Sequence, residues 1–428
     1  MTKILLATMV LLWAPSSLTA AQSVDYAREV GSILSAPSVR EAFDRIEARD
    51  AETMRTLVTL TEIPAPPFGE EARALAYRDM LEEAGADSVY IDEVGNVIAL
   101  RRGTGGGGGA VAIAGHLDTV FPEGTDVTVR MSGDTLRAPG VGDDARGLTA
   151  TLVVLQAMND ADIRTESDIF FIGTVGEEGT GDLRGMKHLF RTGGPPITSF
   201  VAIDGTSDSR VTHQGLGSHR YRVTFTGPGG HSWGAFGLVN PAHAAGRAMH
   251  YFDLAADAYT KNGARTSYNV GVIGGGTSVN SIPFEVFMQV DMRSESQERL
   301  IEIDALFHQT VERAVAEMNT NRRTGPPLTV DIEMIGNRPS GSVDTDEPLI
   351  QKAIAATELL GLEPSLGRSS TDSNIPISLG VPAVTIGGGG SGGGGHSLGE
   401  WFVNENGPRG IQRALLLVVA QAGLAPIN

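Results

Sequence analysis

Apolar positions three and four apart run from Asp25 to Ala86 and predict helices, broken at Pro64-Ala65-Pro66-Pro67. Beyond that break, short β-type runs alternate with helical ones. Ser88 to Leu100, Ala110 to Gly115, Asp168 to Thr174 and Ser199 to Ile203 read as strands. Leu148 to Asn159 reads as a helix between two of them, and Gly410 to Ala422 as a final helix. Strands alternating with helices predict an α/β layer architecture built on a mostly parallel sheet.

The rhythm changes between about Ser218 and Gly336. A strand from Tyr221 to Thr226 precedes a helix from Pro241 to Asp257. Strands follow at Ser267 to Ile273 and Glu285 to Arg293, then a helix from Ser296 to Asn319 and a strand from Leu328 to Ile335. That βαββαβ order is a split, ferredoxin-like arrangement. It predicts a lid domain, residues 218–336, inserted into a main domain formed by residues 22–217 and 337–428.

Composition narrows the partners. A chain of 428 residues with 41% hydrophobic and 20% charged residues has an ordinary globular make-up. A formal charge of −18 argues against a nucleic-acid partner, because phosphate binding needs a basic surface. With no cysteine, disulfides and thiolate metal sites are excluded. Lys3, the apolar stretch Ile4 to Ala14 and the small residues Thr19-Ala20-Ala21 read as a signal peptide over residues 1–21. The expectation is a secreted or periplasmic protein with no membrane contact once that segment is removed. The apolar stretch is too short to span a bilayer, which takes about 20 residues.

Two glycine tracts stand out. Gly103 to Gly109 has the spacing of a dinucleotide fingerprint, but a strand follows where a helix N-terminus is required, so a hairpin loop is expected. Gly387 to Gly395 leads directly into His396 and is expected to shape a pocket wall.

The candidate chemistry is an ordered series: His116-x-Asp118, Asp143-Asp144, Glu177-Glu178, Asp204 and His396. Two imidazoles and several carboxylates form the nitrogen-and-oxygen donor mix that suits zinc and its neighbours. The set is large enough for two metals, with one carboxylate spare for a proton. His116, Glu177 and Asp204 each follow a predicted strand, on the rim where open α/β sheets bind ligands.

These motifs, with the βαββαβ insertion between them, resemble the metallopeptidase family of peptidase T, carboxypeptidase G, acetylornithine deacetylase, succinyl-diaminopimelate desuccinylase and aminoacylase. Gly115-His116-Leu117-Asp118-Thr119-Val120 is similar to the family's first motif, in which the His ligates a metal and the Asp orients its imidazole. Gly142-Asp143-Asp144-Ala145-Arg146-Gly147 is similar to the stretch with the bridging carboxylate. The family usually carries lysine one residue before the position of Arg146. Asp143 rather than Asp144 is taken as the bridge, because the glycine and the following helix then start in register. The resemblance also implies a cis peptide between Asp143 and Asp144.

By the same resemblance Glu177 is the general base, and two Zn2+ ions (or Co2+ or Mn2+) are held. One takes His116, Asp143 and Asp204; the other takes Asp143, Glu178 and His396. His231, in Gly229-Gly230-His231-Ser232, matches a lid histidine that serves the partner subunit's site, which implies a homodimer. Asn280, Arg293 and Thr371 match substrate-contacting positions, arginine being suited to bidentate capture of a carboxylate. The function implied is a dizinc exopeptidase acting on short peptides, as peptidase T does. An N-acyl amino acid deacylase or a carboxypeptidase G-like enzyme is the alternative. A non-catalytic binding protein on the same fold is more remote, because Glu177 is retained.

Ordinary roles suffice for other candidates. Asp144 can cap the helix starting near Gly147, and Asp291 can be a plain strand-end carboxylate. His188, His213, His219, His243, His250 and His308 match no motif.

Overall fold

The structure, a computed structural model, describes residues 25–105 and 109–426. The signal peptide expected over residues 1–21 and the centre of the first glycine tract lie outside them. Among the described residues no helix is long and apolar enough to cross a membrane.

The main sheet has nine strands. Asp168–Thr174, Ala110–His116, Ile197–Ile203 and Ala383–Ile386 lie side by side at its centre, and all are parallel. The flanks are antiparallel where Val97–Arg101 joins Asp168–Thr174 and where Arg210–Gly215 joins Ala383–Ile386. The run Ser88 to Leu100 divides into the hairpin Ser88–Ile91 and Val97–Arg101. The turn forms because Asp92 Oδ1 accepts from the amides of Val94, Gly95 and Asn96 at 2.9–3.0 Å.

Alternate residues of Ala110–His116 serve two cores. Val111 and Ile113 pack in the large core with the helices Ala145–Asp160 and Gly407–Ala422. Ala110, Ala112 and Ala114 pack on the other side with Leu183, Met186, Leu189 and Ile375. Helices therefore cover both faces, and every residue of this strand is buried. The helix expected from Leu148 begins three residues earlier, at Ala145, because Asp144 caps it through the Gly147 amide.

The insertion forms its own antiparallel sheet, ordered Thr266–Gly275, Glu285–Ser294, Gly217–Thr226, Thr329–Arg338. The helices Pro241–Thr260 and Gln297–Thr320 cover one face over a separate core that includes Tyr221, Val223, Phe225, Met288, Val290 and Met292. The intervening positions, among them Arg220, Asp291 and Arg293, belong to the opposite face. This is the βαββαβ unit read from the sequence.

A smaller sheet was not legible. Ser391–Gly393, Trp401–Val403, Thr135–Arg137 and Arg130–Ser132 pair in that order, and each is only three residues long. The second glycine tract runs into it. A Cβ at Gly387 would lie 2.0 Å from the Thr206 carbonyl oxygen, so the tract packs backbone against backbone behind Asp204. The tract contributes His396, but none of its glycines, to the cavity at the sheet rim, which corrects the expectation of a glycine wall.

Candidate metal centre

His116 is the last residue of its strand, and the helix Ala145–Asp160 passes close behind it. A Cβ at Gly115 would meet the Leu148 amide nitrogen at 2.6 Å. Asp143 sits just before that helix, joined to Asp144 by a cis peptide as the resemblance implies. Glu177 and Glu178 follow the strand Asp168–Thr174, and Asp204 follows Ile197–Ile203. His396, at a left-handed φ of 62°, lies between Ser391–Gly393 and Trp401–Val403.

These residues, 280 positions apart at their extremes, converge. His116 Nε2 lies 2.9 Å from Asp143 Oδ1, whereas His396 Nε2 lies 3.3 Å from Asp143 Oδ2 and 2.9 Å from Glu178 Oε1. Donor atoms gather in three groups, each within 4.8 Å: His116, Asp143 and Asp204; Asp143, Glu178 and His396; and His116, Glu177 and Glu178. The two oxygens of Asp143 face different imidazoles, the arrangement a bridging carboxylate requires. Two imidazoles with carboxylates suit zinc, cobalt or manganese.

Asp118 works differently from the expectation. His116 Nδ1 is 2.9 Å from the backbone oxygen of Asp118 and 3.8 Å from its carboxylate. The backbone carbonyl therefore fixes the imidazole and leaves Nε2 for a cation. The buried Asp118 carboxylate accepts instead from the amides of Glu177, at 3.0 Å, and Glu178, at 2.7 Å. It orients the acid pair. Asp144, beyond capping its helix, accepts from the amides of His116 and Gly205 at 3.0 and 3.1 Å, tying two sheet ends together.

The acidic surroundings set the proton affinities. Burial pulls His116 down, but its hydrogen bond to Asp143 and the charges of Asp144, Asp143 and Glu177 win, leaving it well above the ordinary value. Hydrogen bonds to Asp143 and Glu178 push His396 up to about 10. Burial raises Asp143, yet the two imidazoles outweigh it and hold the carboxyl below its usual range. Burial pushes Glu177 well above its usual range, against the pull of Arg338.

A site that favours an extra proton on imidazole also favours a cation between its carboxylates, and the two compete. Metal affinity should therefore rise with pH, by about tenfold per unit for each proton displaced between roughly pH 6 and 9. Competition titrations with a chromophoric chelator at three pH values would measure this. A pH-independent affinity would contradict it.

A cavity of about 520 Å3 opens onto the cluster. Arg293 lines it, as expected. Thr371 does not: its hydroxyl is buried 2.8 Å from Thr385 Oγ1, and Ser369 and Ser370 line the cavity instead. Asn280 and His231 are exposed on the lid, where Gly230–His231 pairs with Ser281–Ile282, and neither lines this chain's own cavity. His231 Nδ1 accepts from the amides of Trp233 and Gly234 at 3.3 and 3.2 Å, leaving Nε2 for another partner.

Other residues of the site had no signal in the sequence beyond their type. Arg338, on the last lid strand, donates from Nη1 to Glu177 Oε1 at 3.0 Å, and its side chain is only 5% exposed. Glu400 accepts from the amides of Gly140, Gly142 and Asp143 at 2.8, 2.8 and 3.0 Å, holding the loop that presents Asp143. Arg146, where the resemblance departs, donates to the Gly388 and Gly407 carbonyls at 2.9 Å and stacks on Phe402. It braces the glycine tract.

The model of Peptidase family M20/M25/M40 matches residues 112–419. A protein named as a LysW-lysine/LysW-ornithine hydrolase in Pyrococcus abyssi is 35% identical over 128 residues, 30% of this chain and 34% of that one. The match thus spans about a third of the length of the first curated relatives. Carboxypeptidase G2 of Pseudomonas sp. is 24% identical over 303 residues, 68% of each chain. The crystal structure of aminopeptidase PepT from Bacillus cereus shares the fold at a TM-score of 0.68 and 20% identity, covering 87% of this chain and 98% of that one.

Proposed function

The chain belongs to peptidase family M20/M25/M40, and on that premise we propose that it is a metal-dependent hydrolase of amide bonds in short peptides or N-acyl amino acids. The observation that carries this reading is the pair of donor groups sharing Asp143. His116, Asp143 and Asp204 would hold one cation, and Asp143, Glu178 and His396 the other, zinc being the first candidate. When bound, such a pair supplies electrophilic charge and acidifies the attacking water.

The chain's own residues supply the rest. Glu177 takes a proton from the attacking water and returns it to the departing amine nitrogen. Arg338 holds one oxygen of that carboxylate in place. Arg293, whose Nε donates to Asp291 at 2.8 Å, keeps its Nη nitrogens for a substrate carboxylate, whereas Asp143, Glu178 and Asp204 are drawn into the donor groups and Glu177 is paired with Arg338. That balance favours recognition of a free carboxylate, and with it an acylated amino acid or a C-terminal residue, over capture of a free amino end. His231 would serve the partner's site in a homodimer; its exposure and its outward Nε2 support this.

Chelation is expected to abolish turnover of a panel of short peptides and N-acetyl amino acids, and Zn2+, Co2+ or Mn2+ to restore it. Activity unaffected by a chelator that strips the protein would overturn the reading. Within the panel, turnover restricted to free amino termini would return the assignment to an aminopeptidase.

A further inference from the structure

A groove of about 900 Å3 lies apart from the metal cluster and shares no lining residue with the cavity there. The helix Asp50–Thr61 forms one wall with Met54 and Val58, one turn apart on the same face. The small sheet forms the other with Met131, Leu136 and Val403. Leu136 is buried, whereas Met131 is 73% exposed. An apolar opening of this size is in the range of small-molecule sites and uncommon on a surface that meets only water.

Three charged side chains line the same groove: Arg55, Asp134 and Glu405. Among the described residues none of the three has a side-chain hydrogen bond or ion pair; Arg55 is engaged only through its backbone oxygen, by Thr59. Their signs select the occupant. A fatty acid would bring its carboxylate toward two others, and a cationic amphiphile would face Arg55. An uncharged apolar molecule would strip water from all three without replacing it. A zwitterion answers both signs at once. Its carboxylate meets Arg55, its ammonium meets Asp134 or Glu405, and its apolar side chains lie along Met54, Val58 and Leu136.

The walls of the groove lead to the metal centre. The strand Thr135–Arg137 continues through Ala138 and Pro139 to Gly140, and the strand Trp401–Val403 begins directly after Glu400. The two strands pair, with Leu136 opposite Phe402. Just beyond them Glu400 accepts from the amides of Gly140, Gly142 and Asp143. Asn404, next to Val403, donates from Nδ2 to both carboxylate oxygens of Asp50 at 2.9 and 2.8 Å, fastening the helix wall to the sheet. A change in the width of the groove therefore moves the strands that hold the Asp143 loop.

We propose that this groove is a regulatory site for a short apolar peptide with free termini, or a free apolar amino acid of the same zwitterionic chemistry, and that its occupancy tightens metal binding at the Asp143 cluster. The site goes beyond the hydrolase reading, because its occupant is held and not cleaved.

Calorimetry with L-leucyl-L-leucine and with L-leucine on the metal-loaded Glu177→Gln protein, in which the peptide survives, tests this; the tighter binder identifies the source. Saturable binding is expected, weakened about tenfold by Arg55→Gln and at least about tenfold by Met131→Glu. Both positions are exposed and outside the metal cluster. Acetylating the amino end of the peptide or amidating its carboxyl end should each weaken binding by about tenfold. Coupling between two sites is reciprocal, so the component of binding lost in Arg55→Gln should be at least about fivefold tighter with metal than after chelation. No saturable binding, or binding that both variants leave unchanged, would overturn the site; the second result would place the peptide in the cavity beside His396. Equal affinity with and without metal would overturn the link to the centre. None of these readouts needs turnover, so they decide the matter even if the protein hydrolyses nothing.

Discussion

Replacing Glu177 by glutamine is expected to lower kcat by about 10²- to 10⁴-fold while the bound metal stays at its wild-type stoichiometry. The amide has the shape of the carboxylate and keeps an oxygen for Arg338, which sits 3.0 Å from Glu177 Oε1. What it loses is the ability to carry a proton from water to the leaving nitrogen. Neither donor group that shares Asp143 includes Glu177, so both keep their ligands. Initial rates combined with elemental analysis of the dialysed protein make the measurement. Retention of more than a tenth of the activity would show that another group moves the proton. Loss of metal would instead make Glu177 a ligand.

The second large effect belongs to Asp143→Ala. Its two carboxylate oxygens face His116 and His396 separately, so one truncation removes a ligand from both groups at once. What remains is His116 with Asp204 on one side and Glu178 with His396 on the other. Loss of a partner that merely orients a ligand costs about 10–100-fold in metal affinity; loss of a shared ligand should exceed about 100-fold at both positions. Asp204→Ala, by contrast, should weaken only one. Metal counted per chain after dialysis would distinguish them, and two ions retained by Asp143→Ala would refute the bridging assignment.

The rim positions of the candidate ligand set were legible because of where the apolar runs stop, whereas the roles of Asp143, Glu178 and His396 came only from the resemblance. Ala110–His116 is buried along its whole length, so its composition marks both strand and end, and His116 falls on the rim. Asp204 follows from the same reasoning. Asp118 was found by type but misassigned in detail, because a carboxylate two residues from a histidine gives no sign of whether side chain or carbonyl meets the ring. Thr371 fails similarly. Ser369, Ser370 and Thr371 offer the same hydroxyl chemistry, and only packing against Thr385 decides which turns inward. Arg220, Arg338 and Glu400 gain meaning only from partners far along the chain, to which local pattern is blind. Asp291, which reads as a plain strand-end carboxylate, becomes the hinge of an arginine pair once its neighbour strand is known.

The bond from the Asp143 amide to Glu400 spans 257 residues, and Glu400 shares a loop with His396. A chain still emerging from the ribosome would therefore carry His116, Asp143, Glu178 and Asp204 long before it could close the second half of their cluster. The cluster cannot close until the segment carrying His396 and Glu400 is made, so a stop codon just upstream of His396 would leave four of the five candidate ligands and no Glu400 to hold the loop that presents Asp143.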